Sequence, residues 1–323
     1  MTEKPANADS GHRVIDDSVR GTRVGFLILT VLIVFVAYWM FVQGQTALPT
    51  QTETPVLPAS QLDGFRADLW QLPDEPLLGF VAIPAGQFLM GSNPAFDRQA
   101  YENERWSETQ QQGRVELALF YLGRYEVTVA QYHAFIQASG HPAVEQTLAA
   151  EADHPVSSIT WTDALAYCRW IEESLSNSSA TPTQLKDLLA QGWHISLPSE
   201  AQWEKAARGN DGAIYPWGTR ILDNQANYDS GSKQAVGSYD CPDCNYGLSD
   251  MSGNVWELTR SPFQPYPYSP DDDRMNLTED ALWVMRGGSF SDGAENIRSA
   301  VRGGVDPGVR NNTIGFRIAL TQQ

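Results

Sequence analysis

Two carboxylates and two thiols carry the first chemical signals in this 323-residue sequence. Asp250 and Glu257 lie seven residues apart on either side of Gly253. Ca2+ takes roughly six to eight oxygens and mixes carboxylates with backbone carbonyls, so this glycine turn reads as a place where calcium braces loops. Cys241-Pro-Asp-Cys244 is a CxxC. Such a pair can be redox-active, half of a zinc site or a local disulfide. No second CxxC or HxxxH supplies further zinc ligands, and the flanking Tyr239-Asp240 and Asn245-Tyr246-Gly247 suggest a turn, not the helix start that a thioredoxin-like pair wants. Outside the cytoplasm a small loop-closing disulfide is the expected state. The third cysteine, Cys168, reads as a small buried hydrophobe.

Other chemistries find little support. His133, His141, His154 and His194 are scattered between positions 133 and 194. They form no His/carboxylate cluster of the kind mononuclear iron needs. There is no nucleophile elbow, phosphate loop or metalloprotease motif. A formal net charge of −17 counts against nucleic-acid binding, which needs cations to displace phosphate counterions. One polar stretch remains: Ser289, Ser291, Asp292, Glu295, Asn296, Arg298, Arg302, Arg310 and Asn311 cluster near the C-terminus. Arginines close to carboxylates can hold a peptide or a carboxylated ligand. Asp271-Asp272-Asp273 reads as a solvated loop.

The elements that must position these residues are short. Phe80–Ile83 and Phe88–Met90 read as strands around the turn signal Pro84-Ala85-Gly86. Thr128 can cap a helix from Val129 to Ser139, stopped by Gly140. Thr162 can cap a second, from Asp163 to about Ser174, with Ala164, Ala166, Tyr167, Trp170 and Ile171 on its apolar face. A third follows Pro182 and ends at Gly192, and Ser199 with Gln202 makes a capping box for a fourth, Glu200–Arg208. Trp283–Met285 and Phe316–Leu320 read as late strands. With 26 Gly, 19 Pro and 42% hydrophobic residues, the expectation is one loop-rich α+β domain with low regular secondary structure.

Ahead of that domain, residues 24–42 carry no charge over nineteen positions. As a helix they nearly span a ~30 Å hydrocarbon core. Lys4, Arg13, Arg20 and Arg23 precede the run, and no Lys or Arg follows until Arg66. Positive-inside bias then keeps residues 1–23 in the cytoplasm and puts the bulk of the chain outside. The expected location is the inner (cytoplasmic) membrane, with the C-terminal domain in the periplasm or its equivalent. A cleaved signal peptide fits less well, because the preceding region and the apolar run are both long. Residues 43–76 read as an extracytoplasmic linker and residues 77–323 as the domain.

Eight segments, in order, resemble the formylglycine-generating enzyme (sulfatase-modifying factor) domain family. They are FVAIPAGQFLMGS (80–92), YEVTVAQYHAFI (125–136), HPVSSITWTDALAYCRW (154–170), LPSEAQWEKAARG (197–209), YPWG (215–218), GLSDMSGNVWEL (247–258), VMRGGSF (284–290) and NNTIGFRIAL (311–320). The resemblance implies a fold related to the C-type-lectin-like fold. It also carries calcium-ligand roles onto the Asp250 and Glu257 side chains and the Gly253 and Val255 carbonyls. The family's other calcium site matches only at its start, Asn227-Tyr228.

Family members include copper-dependent cysteine oxidases, sulfoxide synthases, siderophore-maturation factors and pure binding proteins, so the fold leaves function open. The copper oxidase needs two thiols just after Gly-Gly-Ser. The positions resembling them are Asp292 and Ile297, so no copper is expected and formylglycine formation is disfavoured. In the family this segment lines the substrate groove. The resemblance therefore makes Ser289, Asp292, Arg298 and Arg302, with Trp256 and Arg286 facing the same region, candidates for ligand contact. The expected function is a membrane-anchored accessory maturation or binding module that takes an extracytoplasmic protein or peptide. The alternative is a divergent metal-dependent oxidoreductase acting on a protein or siderophore. Some diversity-generating systems also place a variable segment near a C-terminal Gly-Phe-Arg, as in Gly315-Phe316-Arg317.

Overall fold

Capping side chains start three of the helices. The computed structural model describes residues 62–239, 241–273 and 281–322, together with Val31 and Val34. Helix α1 (Val129–Ser139) begins at Thr128, whose hydroxyl accepts from the Gln131 amide at 3.2 Å while the Gln131 side chain accepts from the Thr128 amide at 2.8 Å. Helix α2 spans Trp161–Asn177 and is capped by Thr160, not Thr162. Asp163 sits at the third helical position from Thr160 and closes the capping box at 2.9 Å, which fixes the start two residues earlier than expected. Helix α3 (Thr183–Ala190) follows Pro182, and α4 (Glu200–Arg208) is capped by Ser199 and Gln202.

The strands are β1 (Phe65–Arg66), β2 (Leu72–Pro73), β3 (Phe80–Ile83), β4 (Gly86–Met90), β5 (Gly113–Leu117), β6 (Phe120–Gly123), β7 (His194–Ser196), β8 (Trp256–Pro262), β9 (Trp283–Arg286), β10 (Arg302–Val305), β11 (Ile314–Gly315) and β12 (Ala319–Thr321). They form two four-stranded sheets, in the orders β3-β6-β12-β7 and β10-β9-β8-β11, and two small ribbons, β1-β2 and β4-β5. The strands flanking Pro84-Ala85-Gly86 do not pair with each other. β3 pairs with β6 and β4 with β5, so the chain leaves one sheet for another at that turn. The late run around Phe316–Leu320 also divides. Ile314–Gly315 runs parallel to Trp256–Glu257 in one sheet, and Ala319–Thr321 lies between β6 and β7 in the other. Phe316, Arg317 and Ile318 are the bridge between the two sheets.

The main core gathers around α1 and α2. Trp161 stacks on Trp283 at 3.9 Å, and in the same core Tyr132 stacks on Tyr167 at 6.0 Å while Phe135 and Phe316 meet both edge to face. Cys168 is buried on α2, and burial pushes its thiol well up, so it is an inert packing residue. The segment expected to be the end of a linker is part of this core: Leu69 and Leu72 are fully buried and β1 pairs with β2. The domain therefore starts near residue 65, not 77. Among the described residues no helix is long and apolar enough to cross a membrane. The expected tail, the anchor at 24–42 apart from Val31 and Val34, and the linker up to residue 61 lie outside the described residues. Asp273 is no solvated loop residue, since it accepts from the hydroxyls of Ser261 and Tyr268.

Candidate functional site

The turn from Asp250 to Glu257 is built on three left-handed residues: Asp250 (φ 57°), Gly253 (φ 77°) and Asn254 (φ 60°). It is pinned from two sides, by Gly253 N–H to Gly287 O and Asn254 N–H to Asn227 O, both at 2.8 Å. The turn delivers Glu257 to the interior at the start of β8, where it is fully buried. Arg317 donates to both of its oxygens at 2.6 Å, and Trp203 Nε1 donates at 2.7 Å. The same guanidinium donates to the carbonyls of Gly123, Arg124 and Ser249. Asp250 accepts from the Gly237 amide at 2.6 Å. Burial, opposed by that bond and by Arg317 and reinforced by the Glu257 charge, pushes the Asp250 carboxyl up to about 6.

Glu126 was not singled out from the sequence, yet it faces this cluster. Its side chain is buried; Oε2 accepts from Asn254 Nδ2 at 3.2 Å, and Oε1 has no partner. Burial first, then the charges of Asp250 and Glu257, push its carboxyl well up. The available signal was a lone acid inside the apolar run Phe120–Val127. Lys233 approaches as well, donating to Pro155 O and Ser157 Oγ, and burial lowers its ammonium to about 8. Of the three carboxylates, the Arg317 guanidinium pairs with Glu257 alone, and Asp250 and Glu126 feel its charge without a hydrogen bond from it. Among the described residues no three His, Cys, Asp or Glu side chains close into a metal cage alone, so backbone carbonyls must supply part of any shell. Hard oxygen donors and the orphaned Glu126 oxygen fit a divalent cation such as calcium, while Glu257 has both oxygens held by Arg317 and Trp203.

After Gly287-Gly288 the two positions that resemble catalytic thiols are occupied in different ways. Asp292 Oδ2 accepts from Trp256 Nε1 at 2.9 Å, from the Ser289 amide at 3.0 Å and from Ser289 Oγ at 2.5 Å. Ser289 and Ser291 hydroxyls meet at 3.1 Å. Ile297 is fully buried and packs with Tyr215 and Ala226. Trp256, Ser289 and Asp292 therefore do come together, as one closed hydrogen-bonded unit.

The three arginines expected to line the ligand groove do not. All are buried. Arg286 pairs with Glu200 at 3.1 Å and Glu204 at 2.5 Å and lies over Trp203. Arg298 pairs with Asp97 at 2.5 Å and Glu104 at 2.7 Å. Arg302 pairs with Glu200 at 2.5 Å and sits 4.0 Å from the Tyr266 ring centre. Their donors tie loops to α4 and to the 97–104 segment, so they act as internal struts. A separate open cleft of about 530 Å3 is lined by Glu75, Arg124, Tyr125, Tyr239, Cys241 and Cys244. Cys241 and Cys244 are joined by a disulfide.

Residues 66–322 match the Sulfatase-modifying factor enzyme 1-like domain of the FGE-sulfatase family. The chain belongs to that family. Within the sulfatase-modifying factor family it is 33% identical over 180 residues to "Inactive C-alpha-formylglycine-generating enzyme 2" of Mus musculus, covering 51% of this chain and 48% of that protein. The chain thus spans about half the length of that relative. It is 28% identical over 308 residues to "Formylglycine-generating enzyme" of Streptomyces coelicolor, covering 75% of this chain and 88% of the relative. The fold is shared with PvdO from Pseudomonas aeruginosa at a TM-score of 0.60 and 23% identity, covering 75% of this chain and 94% of that one. Treponema denticola variable protein 1 shares it at 0.56 and 24%, with the same coverages.

Proposed function

We propose that this chain is a single-pass membrane-anchored member of the sulfatase-modifying factor family. Its domain works outside the cytoplasm as an accessory maturation or binding module for a protein or peptide, without copper–cysteine oxidase chemistry. The observation that carries this reading is the filling of the thiol positions. Soft thiolates select Cu(I). Here one position holds Asp292, whose Oδ2 is saturated by Trp256 and Ser289, and the other holds the packed Ile297. A relative named inactive fits the same reading. The uncharged run at 24–42 with basic residues before it supports the anchor and the outward orientation.

Full-length protein given Cu(I) and a cysteine-containing sulfatase-type peptide should hold no stoichiometric copper and form no formylglycine. Elemental mass spectrometry and peptide mass would read both, and copper-dependent turnover would reject the proposal. A reporter enzyme fused to the C-terminus should be active only outside the cytoplasm; a cytoplasmic signal would sink the topology.

In this reading calcium is a structural brace. The Asp250 carboxylate and the Gly253 and Val255 carbonyls would hold it, Glu257 could join only by giving up part of its Arg317 pair, and the cation's charge would relieve the carboxylate crowding around Glu126. A chelator should lower the melting temperature by about 3 °C or more, because a ligand bound only to the folded state stabilises it. Asp250→Ala should abolish that response. An unchanged melting temperature in wild type, with or without chelator, would remove calcium from the account.

A further inference from the structure

The Cys241–Cys244 cleft lies apart from the Gly-Gly-Ser segment and borders the calcium turn through Gly237 and Ser249. Its volume of about 530 Å3 falls within the roughly 300–1,000 Å3 of ligand-sized pockets. Both cysteines are half-buried and form part of its wall, together with Tyr125 and Tyr239. Arg124 and Glu75, also in the wall, pair with each other at 2.5 Å. The disulfide spans a sequence separation of only 3, and the turn it closes has its own Cys244 N–H to Cys241 O bond at 3.0 Å. A cross-link over so short a loop removes little chain entropy from the unfolded state, and this one ties no two elements together. The bond is thus poorly placed as a brace and well placed to meet whatever enters the cleft.

We propose that Cys241–Cys244 is an exchange disulfide that oxidises a pair of thiols on a polypeptide segment held in this cleft. A substrate thiolate attacks one of the two sulfurs. The Cys241–Cys244 bond breaks as a mixed disulfide forms, and its electron pair leaves on the other cysteine, which takes up a proton. The second substrate thiolate then attacks the mixed disulfide from the substrate side. The segment departs as a disulfide, and the chain keeps Cys241 and Cys244 as thiols. Two electrons and two protons pass from substrate to chain in one round, and the protein disulfide is the only oxidant. The wall offers a peptide the Tyr125 and Tyr239 side chains, the Arg124–Glu75 pair and Ser249, contacts that a small free thiol does not need.

The test mixes oxidised full-length chain, kept in detergent, with a reduced peptide carrying two cysteines, under anaerobic conditions. Acid quenching, alkylation and mass spectrometry count the products. One peptide disulfide should appear per chain, with Cys241 and Cys244 alkylated and Cys168 protected in the native state. The peptide should react about tenfold faster than glutathione at equal thiolate concentration, since only the peptide fills the cleft. Tyr239→Ala should slow the peptide and leave the glutathione rate unchanged. Equal rates for peptide and glutathione in wild type would mean an exposed but unselective disulfide and would overturn the proposal. So would a native disulfide that resists the peptide for hours, or a reduced chain whose fold collapses. Because no metal takes part, failure here would leave the copper-free reading of the family site standing.

Discussion

Arg317→Met is expected to lower the stability of the domain by about 3–5 kcal/mol, the usual cost of stripping one partner from a buried ion pair. Arg317 and Glu257 are both fully buried. Without the guanidinium, Glu257 keeps only Trp203 Nε1, beside Glu126 and Asp250, whose charges already disfavour one another. Three backbone carbonyls, of Gly123, Arg124 and Ser249, lose a donor at the same time. For a domain of this size the melting temperature should fall by roughly 10 °C. Lysine should not rescue it, because an ammonium cannot reproduce a two-pronged grip on a carboxylate. A double variant with Glu257→Gln should recover part of the loss, since the unpaired charge is gone. A single variant that melts within about 1 °C of wild type would show that this pair is not the tie between the two sheets.

Gly253→Ala should be nearly as damaging for a purely steric reason. Gly253 has φ 77°, where an L side chain is strained by roughly 1–2 kcal/mol. A Cβ there would also lie 2.2 Å from the carbonyl oxygen of Asn227, which is backbone and cannot rotate away. That oxygen accepts the Asn254 amide, so moving it loosens the turn that delivers Glu257. Overpacking adds roughly 1–3 kcal/mol, for a total loss of about 2–5 kcal/mol. Thermal unfolding should read the loss, and any calcium response of the wild type should weaken with it. A neutral substitution would mean that the turn tolerates displacement and that Asn227 is not its anchor.

The residues around the site were legible to different degrees. Ser289 and Asp292 were legible in the sequence as neighbours, because they are three residues apart and a short loop brings their atoms together, whereas Trp256 lies 36 residues from Asp292 and was placed beside it only by the family resemblance. Glu126 was not, because it lies 128 residues from Asn254 and only folding places them 3.2 Å apart. The arginines were misplaced for the same reason. Arg286 and Glu204 are 82 residues apart, and Arg298 and Glu104 are 194 apart. In a loop-rich sequence each arginine looks solvent-facing until its carboxylate arrives.

By itself the sequence determined the helix starts, the Gly-Gly-Ser segment, the motif order and the absence of thiols at 292 and 297. These depend on contacts within a few residues or on residue identity alone. The capping boxes at Thr128 and Ser199 close over three residues, so composition suffices to place them. Even there the start of α2 slipped by two, since Thr160 and Thr162 both offer a hydroxyl and only Asp163 decides between them. Tertiary structure decided the strand partners across Pro84-Ala85-Gly86, the split of the last strand around Arg317, the burial of Leu69 and Leu72 and every long-range ion pair. Those outcomes are set by which apolar faces meet and by how a buried charge finds its opposite, and both are properties of the packed chain.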